Sequence, residues 1–306
     1  MSGPQSRDIH HSPTISIIMG VMFFVALPIV FFASWFGLAS FCRAYFPPLQ
    51  NKRIGLLIAH CDDEAMFFSP TLQALTKLEL RNHVDILCLS PGAERHLCET
   101  RKSELLKSAK ILGLSSTSDI TILEDHARFP DSMTTPWSPD HIADELSQKF
   151  SPSFQPGKNV DIGDSFPSSP AGINIDILIT FDNKGISSHA NHISLYYGAL
   201  KWLQGVDPTG NTIAMYSLTS TNTLQKYISL FDAPFSILRV LLSAKRGHGQ
   251  GLPEILFFFS GVSGYRTAQR AMTEGHKSQM LWFRYGWLGL SRYVSINDLV
   301  RQYPVA

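Results

Sequence analysis

Charge is scarce in this chain, and over one long stretch it is missing. Only 17% of the 306 residues are Asp, Glu, Lys or Arg, and none lies between Ser12 and Cys42. So long an uncharged, apolar run excludes an ordinary solvent-facing helix, and its core, residues 15–41, is long enough to cross a bilayer. A cleaved signal peptide would have an apolar region of only about 7–15 residues and a more basic start. Cysteine is also sparse: Cys42, Cys61, Cys88 and Cys98 form no C-x-x-C pair, which argues against a disulfide scaffold and for a reducing compartment. Cys42, at the end of the apolar run, stands where a thiol could be acylated. No internal repeat is apparent, so a solenoid is excluded. The net charge of +1 gives no sign of a nucleic-acid partner.

What is present is an apolar fraction of 44%, ample for one large core. The small net charge hides an asymmetry, since residues 201–306 carry 11 Lys/Arg against 5 Asp/Glu. Such a basic third suits a solvated surface or one that meets anionic lipid. Arg7 alone precedes the apolar run while Arg43, Lys52 and Arg53 follow it, which places the body on the cytosolic side of a single span. The expected organisation is a tail over 1–14, a transmembrane helix over 15–41, a linker over 42–52 stiffened by Pro47 and Pro48, and one domain over 53–306. Within it, residues 151–174 hold 4 prolines, 5 serines and 3 glycines with little periodicity, and read as a flexible insertion.

The pattern of the body predicts an α/β fold, a Rossmann-like, mostly parallel sheet with helices on both faces. Strands are expected at residues 54–59, 84–90, 120–123, 175–180, 212–220 and 253–260, and helices at 65–80, 99–112, 138–150, 193–203 and 264–284. The stretch 223–244 is amphipathic, and Asp232, Pro234 and Arg239 argue against a second span. Met280, Leu281, Trp282, Phe283, Tyr285 and Trp287 form an aromatic cluster that fits either core packing or a lid, or contact with the membrane surface.

Two of the buried strand runs end in polar clusters. The first delivers His60, Asp62, Asp63 and Glu64, the fourth Asp182 and then His189 and His192. Strand ends are where open α/β sheets build their sites. A hydrolytic zinc site needs three ligands from His and carboxylate, with one position open to water. His60, Asp63 and one of the two later histidines meet that need, and Asp62 is placed to serve as the base. Glu64 reads as a solvated acid at a helix start. Neighbouring side chains at a strand end point apart, so Cys61 reads as a small buried residue rather than a ligand.

These residues resemble a known family. A-H-C-D-D-E at 59–64 is similar to the A-H-P-D-D-E signature of the PIG-L/LmbE-like zinc de-N-acetylases, and S-H-A-N-H at 188–192 to their H-x-x-H. E-T-R-K-S-E-L at 99–105, F-P-D at 129–131, T-F-D at 180–182 and S-Q-M-L-W-F-R at 278–284 extend the likeness over most of the body, the last of them toward the eukaryotic branch. The resemblance implies zinc held by His60, Asp63 and His192, with Asp62 as general base. It implies that His189 stabilises the oxyanion or protonates the leaving amine, and that Arg101 contacts substrate. The implied reaction is hydrolysis of the N-acetyl group of N-acetylglucosaminyl-phosphatidylinositol, a membrane glycolipid, at the cytosolic side of the endoplasmic reticulum. A deacetylase of a small N-acetylglucosamine conjugate and an inactive glycolipid-binding or scaffold relative are the other readings. The chain departs from the pattern at Cys61, where the family has Pro, and at Ala93, His96 and Cys98 in the loop after the second strand.

Overall fold

The computed structural model describes residues 13–152, 172–207, 212–244 and 251–303, those of 13–23 as backbone only. Most of the expected insertion at 151–174 lies outside them. The described residues begin with helix α1 (Pro13–Tyr45), which continues through Pro28. Its stretch Phe24–Tyr45 is long and apolar enough to cross a membrane and is largely unburied, which suggests membrane anchoring.

The body is built on a seven-stranded sheet. In chain order its strands are β1 (Arg53–His60), β2 (His83–Ser90), β3 (Ile120–Ile122), β4 (Ile177–Phe181), β5 (Ala214–Leu218), β6 (Ile255–Phe259) and β7 (Ile296–Gln302). Their spatial order is β3-β2-β1-β4-β5-β7-β6. The first five in that order are parallel, and β7 runs antiparallel between β5 and β6. Seven of the eight residues of β1 are buried, as expected of an apolar strand covered on both faces. The order reverses at the β1/β4 pair, and the crevice there is the site-building position of such a sheet.

The helices are α2 (Asp63–Met66), α3 (Ser69–Leu75), α4 (Cys98–Ile111), α5 (Pro139–Phe150), α6 (Gly185–Ser188), α7 (Ala190–Val206), α8 (Thr223–Tyr227), α9 (Ala233–Ala244), α10 (Val262–Arg270) and α11 (Trp282–Leu290). Three expectations are corrected. The helix expected over 65–80 is broken into α2, α3 and a 3-10 turn at Leu78–Leu80. The break falls at Phe68, whose φ/ψ of −113°/9° is non-helical, and Pro70 opens the new helix. The helix expected over 264–284 divides into α10, a π turn at Ala271–Gly275, a 3-10 turn at Lys277–Gln279 and α11. Strand β7 was not expected, because Asn297 and Asp298 interrupt its apolar pattern. Both are buried and satisfied: Asn297 accepts from the Thr71 hydroxyl at 2.8 Å, and Asp298 pairs with Arg292 at 2.9 Å and with Arg239.

Candidate metal and catalytic centre

Strand β1 ends at His60, and the tight turn into α2 carries Asp62 and Asp63. Asp63 folds back so that Oδ2 accepts the backbone N–H groups of Ala59 and His60 at 3.0 and 2.9 Å. Its Oδ1 lies 3.3 Å from Nε2 of His192. Burial works to neutralise Asp63, but the imidazoles of His192 and then His60 beside it hold its pKa below the ordinary carboxylate range.

The second half of the site follows β4. The turn after it is held by Asp182, whose carboxylate accepts from Lys184 N, Gly185 N and the Ser220 hydroxyl. Positive φ at Gly185 (59°), Ile186 (60°) and Ser188 (57°) marks it as strained, as turns that aim functional groups often are. Gly185 is required there, since a Cβ would meet Ile193 Cγ1 at 2.9 Å. The turn delivers the Gly185 carbonyl to Nδ1 of His192 at 3.4 Å. His192 therefore donates from Nδ1 and keeps a lone pair on Nε2. That Nε2 is buried without a hydrogen-bond partner.

His189, the N-cap of α7, has the opposite arrangement. Its Nδ1 accepts the Asn191 N–H at 3.3 Å, which leaves the proton on Nε2. Its ring stacks on His192 at 4.6 Å, and His192 stacks on Phe181 at 3.9 Å. Burial first, and then the imidazoles of His192 and His60, push the pKa of His189 down to about 4. His60 completes the cluster. Its Nε2 is shared between Asn191 Oδ1 at 3.2 Å and Asp131 Oδ1 at 3.3 Å, so Nδ1 is the nitrogen with a free lone pair, 3.8 Å from Asp63 Oδ2.

Ring nitrogens of His60, His189 and His192 come within 4.8 Å of one another, and Asp63 borders two of the three. Three ring nitrogens thus converge with a carboxylate beside two of them, a donor set that suits a three-ligand cation site at that point. The orphaned Nε2 of His192 fits a cation at that point. Cys61 lies apart from this group, fully buried with its Sγ 3.6 Å from that of Cys88.

Asp62 is 4% exposed and faces two arginines. Arg284 donates to Oδ2 at 2.5 Å, and Arg101 lies 3.8 Å from the same oxygen. Burial favours the neutral acid, but the charges of Arg284, Arg101 and His276 hold this pKa well below the carboxylate range. Arg101 is itself buried, reaching toward Asp131 at 4.0 Å and packing over Gly92, where a Cβ would lie 1.4 Å from its Nη1. Gly92 has φ +115° and is the residue that lets the guanidinium pass.

The sequence matches the family described as "PIG-L: GlcNAc-PI de-N-acetylase" over residues 56–203. It is 41% identical to the N-acetylglucosaminyl-phosphatidylinositol de-N-acetylase of Arthroderma benhamiae, over 84% of this chain and 89% of that protein. This chain belongs to the PIG-L family. The Bos taurus protein of the same name is 34% identical over 82% of this chain and 84% of its own length. Among solved structures, the N,N'-diacetylchitobiose deacetylase from Pyrococcus horikoshii aligns over 83% of this chain and 84% of that chain at 12% identity and a TM-score of 0.47.

All six residues singled out from the PIG-L motifs, His60, Asp62, Asp63, Arg101, His189 and His192, lie in or against this one cluster. Four other members were not foreseen. Asn191 and Asp131 orient His60, Arg284 holds Asp62, and His276 reaches fully buried Glu64 at 2.6 Å. Glu64 is therefore a buried ion-pair partner and not a solvated helix-start acid. Asp131 and Arg284 did lie in recognised motifs, F-P-D and S-Q-M-L-W-F-R, and Asn191 sits inside S-H-A-N-H.

Proposed function

We propose that this PIG-L protein hydrolyses the N-acetyl group of N-acetylglucosaminyl-phosphatidylinositol, giving acetate and glucosaminyl-phosphatidylinositol, a step of glycosylphosphatidylinositol-anchor synthesis. Its body lies on the cytosolic side of the endoplasmic reticulum membrane, with α1 as a single-pass anchor ahead of one catalytic domain over 53–306. The substrate assignment draws on relatives of that name, which match the chain along most of its length.

The observation that carries the chemistry is the buried, unpartnered Nε2 of His192 facing Oδ1 of Asp63 at 3.3 Å. With His60 Nδ1 these two donors would hold zinc, each imidazole anchored through its other nitrogen by a carbonyl or carboxylate, as metal-bound histidines are. Zinc bound there supplies a lowered water pKa and polarisation of the amide carbonyl.

The remaining steps belong to the chain. Asp62, ionised and next in sequence to Asp63, would take a proton from the attacking water. His189 carries its proton on Nε2 and donates it as a hydrogen bond to the oxygen of the amide as charge develops there. Arg284 and Arg101 fix the Asp62 carboxylate, and Arg101 presents the little surface it exposes to the sugar. A binding-only or scaffold role leaves unexplained why base, donor and three ligands converge.

The test is acetate release from N-acetylglucosaminyl-phosphatidylinositol by the full-length protein in membranes. Release that stops with a zinc chelator supports the reading. No release by folded, zinc-loaded protein would sink it.

A further inference from the structure

The anchor helix and the catalytic centre leave the body by the same edge of the sheet. Strand β6 pairs antiparallel with β7, and β7 antiparallel with β5, so β6 runs in the direction of β1 and ends on the edge where His60 emerges. Helix α1 lies along β6 in the opposite sense. Phe46 packs on Phe257 with ring centroids 5.1 Å apart, and eleven residues earlier Trp35 donates from its indole to the carbonyl of Ser260, just past the strand's C-terminal end, at 2.9 Å. Traced backwards, α1 climbs toward the catalytic edge and emerges from it. Its buried positions, Trp35, Ala39 and Cys42, make a docking stripe at helical spacing, whereas residues 24–30 are all exposed.

Lengths agree with that exit. Helix α1 has 33 residues, about 50 Å, which exceeds a hydrocarbon core of ~30 Å. The part before Trp35, residues 13–34, is about 33 Å long and matches the core by itself.

The body around this exit point is apolar and exposed. Leu224 in α8 and Phe231, the latter 6.4 Å from Phe31 of the anchor, follow β5 on the catalytic edge and are over 70% exposed or at it. Helix α11 presents two faces. Arg284, Trp287 and Leu288 turn inward, Arg284 to Asp62 and Trp287 to Phe67 at 5.5 Å. Leu281, Trp282 and Tyr285 turn outward, with Trp282 86% exposed. The anchor is tied to α11 through Tyr265, whose ring packs on Trp35 at 5.6 Å and whose hydroxyl donates to the Leu288 carbonyl at 3.1 Å. Exposed Trp, Tyr and Leu beside a spanning helix have the composition of a membrane-interface belt.

We propose that the phospholipid leaflet covers this edge. The span begins at Trp35, and Leu224, Phe231, Leu281, Trp282 and Tyr285 sit in the interfacial layer around it, so that the catalytic centre opens onto the membrane plane. A glycolipid head group would then reach the site without its acyl chains leaving the bilayer. The proposal rests on α1 as the anchor and not on the reaction, and its readout is depth, not turnover.

The test places an environment-sensitive dye on single cysteines of the full-length protein in phosphatidylcholine and phosphatidylinositol liposomes, with the four native thiols buried. Leu224→Cys, Phe231→Cys and Trp282→Cys report the rim, and Ser115→Cys, exposed ahead of the N-terminal end of β3, reports the opposite edge. Expected is blue-shifted emission at the three rim positions, quenched by lipids brominated on their acyl chains and shielded from aqueous iodide, with the reverse at 115. Rim dyes that behave as at 115, or a protein that fails to float with the liposomes, would overturn the proposal. So would rim dyes shielded from both quenchers, since a second copy or another protein would then cover the face.

Discussion

The rings of His189 and His192 stack 4.6 Å apart and within 17° of parallel, yet the partners of their Nδ1 atoms assign their protons to opposite nitrogens. His192 donates from Nδ1 to the Gly185 carbonyl, and His189 accepts the Asn191 amide on Nδ1. One ring is thereby left with a lone pair toward Asp63 and the other with a proton. His192→Ala is expected to lose bound zinc. His189→Ala should keep it and lose about 100- to 1,000-fold in turnover, the usual loss of an oxyanion donor. Metal analysis and acetate release on the same samples separate the two, and equal metal loss in both would overturn the division.

Asn191 is fully buried and divides its amide between three partners, accepting at Oδ1 from His60 and Ser132 N and donating from Nδ2 to Thr135. It acts on the metal position through His60. Asn191→Ala should weaken zinc affinity about 10- to 100-fold, with activity recovered at saturating zinc. A zinc titration followed by activity tests this, and an unchanged affinity would mean that Asp131 alone orients the ring.

Arg284 reaches Asp62 from a point 222 residues away. Its removal should leave zinc content intact and lower kcat about 10- to 100-fold, because Asp62 loses its orienting partner. Arg284→Lys, a point charge without the planar fork, should restore only part of the rate.

Glu64 and His276 form a pair with both side chains fully buried. Burial opposes charge on His276, but Glu64, through charge and hydrogen bond, and then Asp62 and Glu104 raise its pKa above the ordinary value near 6.5. A raised folded-state pKa contributes stability that is complete below 6.5 and lost as pH climbs through the folded value. Thermal melting of the full-length protein should therefore fall on the alkaline side, and His276→Gln should flatten that dependence. Removing the imidazole outright, as in His276→Ala, should cost about 3–5 kcal/mol by stranding Glu64.

The sheet was legible because its parallel strands are buried on both faces and read as unbroken apolar runs, as Ile54 to Ala59 and Ile177 to Phe181 do. The same rule hid β7, whose Asn297 and Asp298 are buried through partners on α3, α9 and the turn before the strand. The donor cluster proposed to hold the metal was legible as a pattern because its residues lie at two strand ends. Its supports were not, since Asp131, Arg284 and His276 meet their partners only after the chain has folded over 71, 222 and 212 positions. Nor could spacing tell His189 from His192, because the difference lies in which backbone group each Nδ1 meets.

Acetate release from N-acetylglucosaminyl-phosphatidylinositol, followed in one liposome preparation before chelation, after it, and after zinc is returned, tests the proposed reaction most directly when Asp62→Asn is run beside the wild type. Expected is release that stops with the chelator and resumes with zinc, while Asp62→Asn binds zinc equally and releases acetate at least about 100-fold more slowly. Release indifferent to chelation, or an Asp62→Asn protein as fast as the wild type, would contradict it.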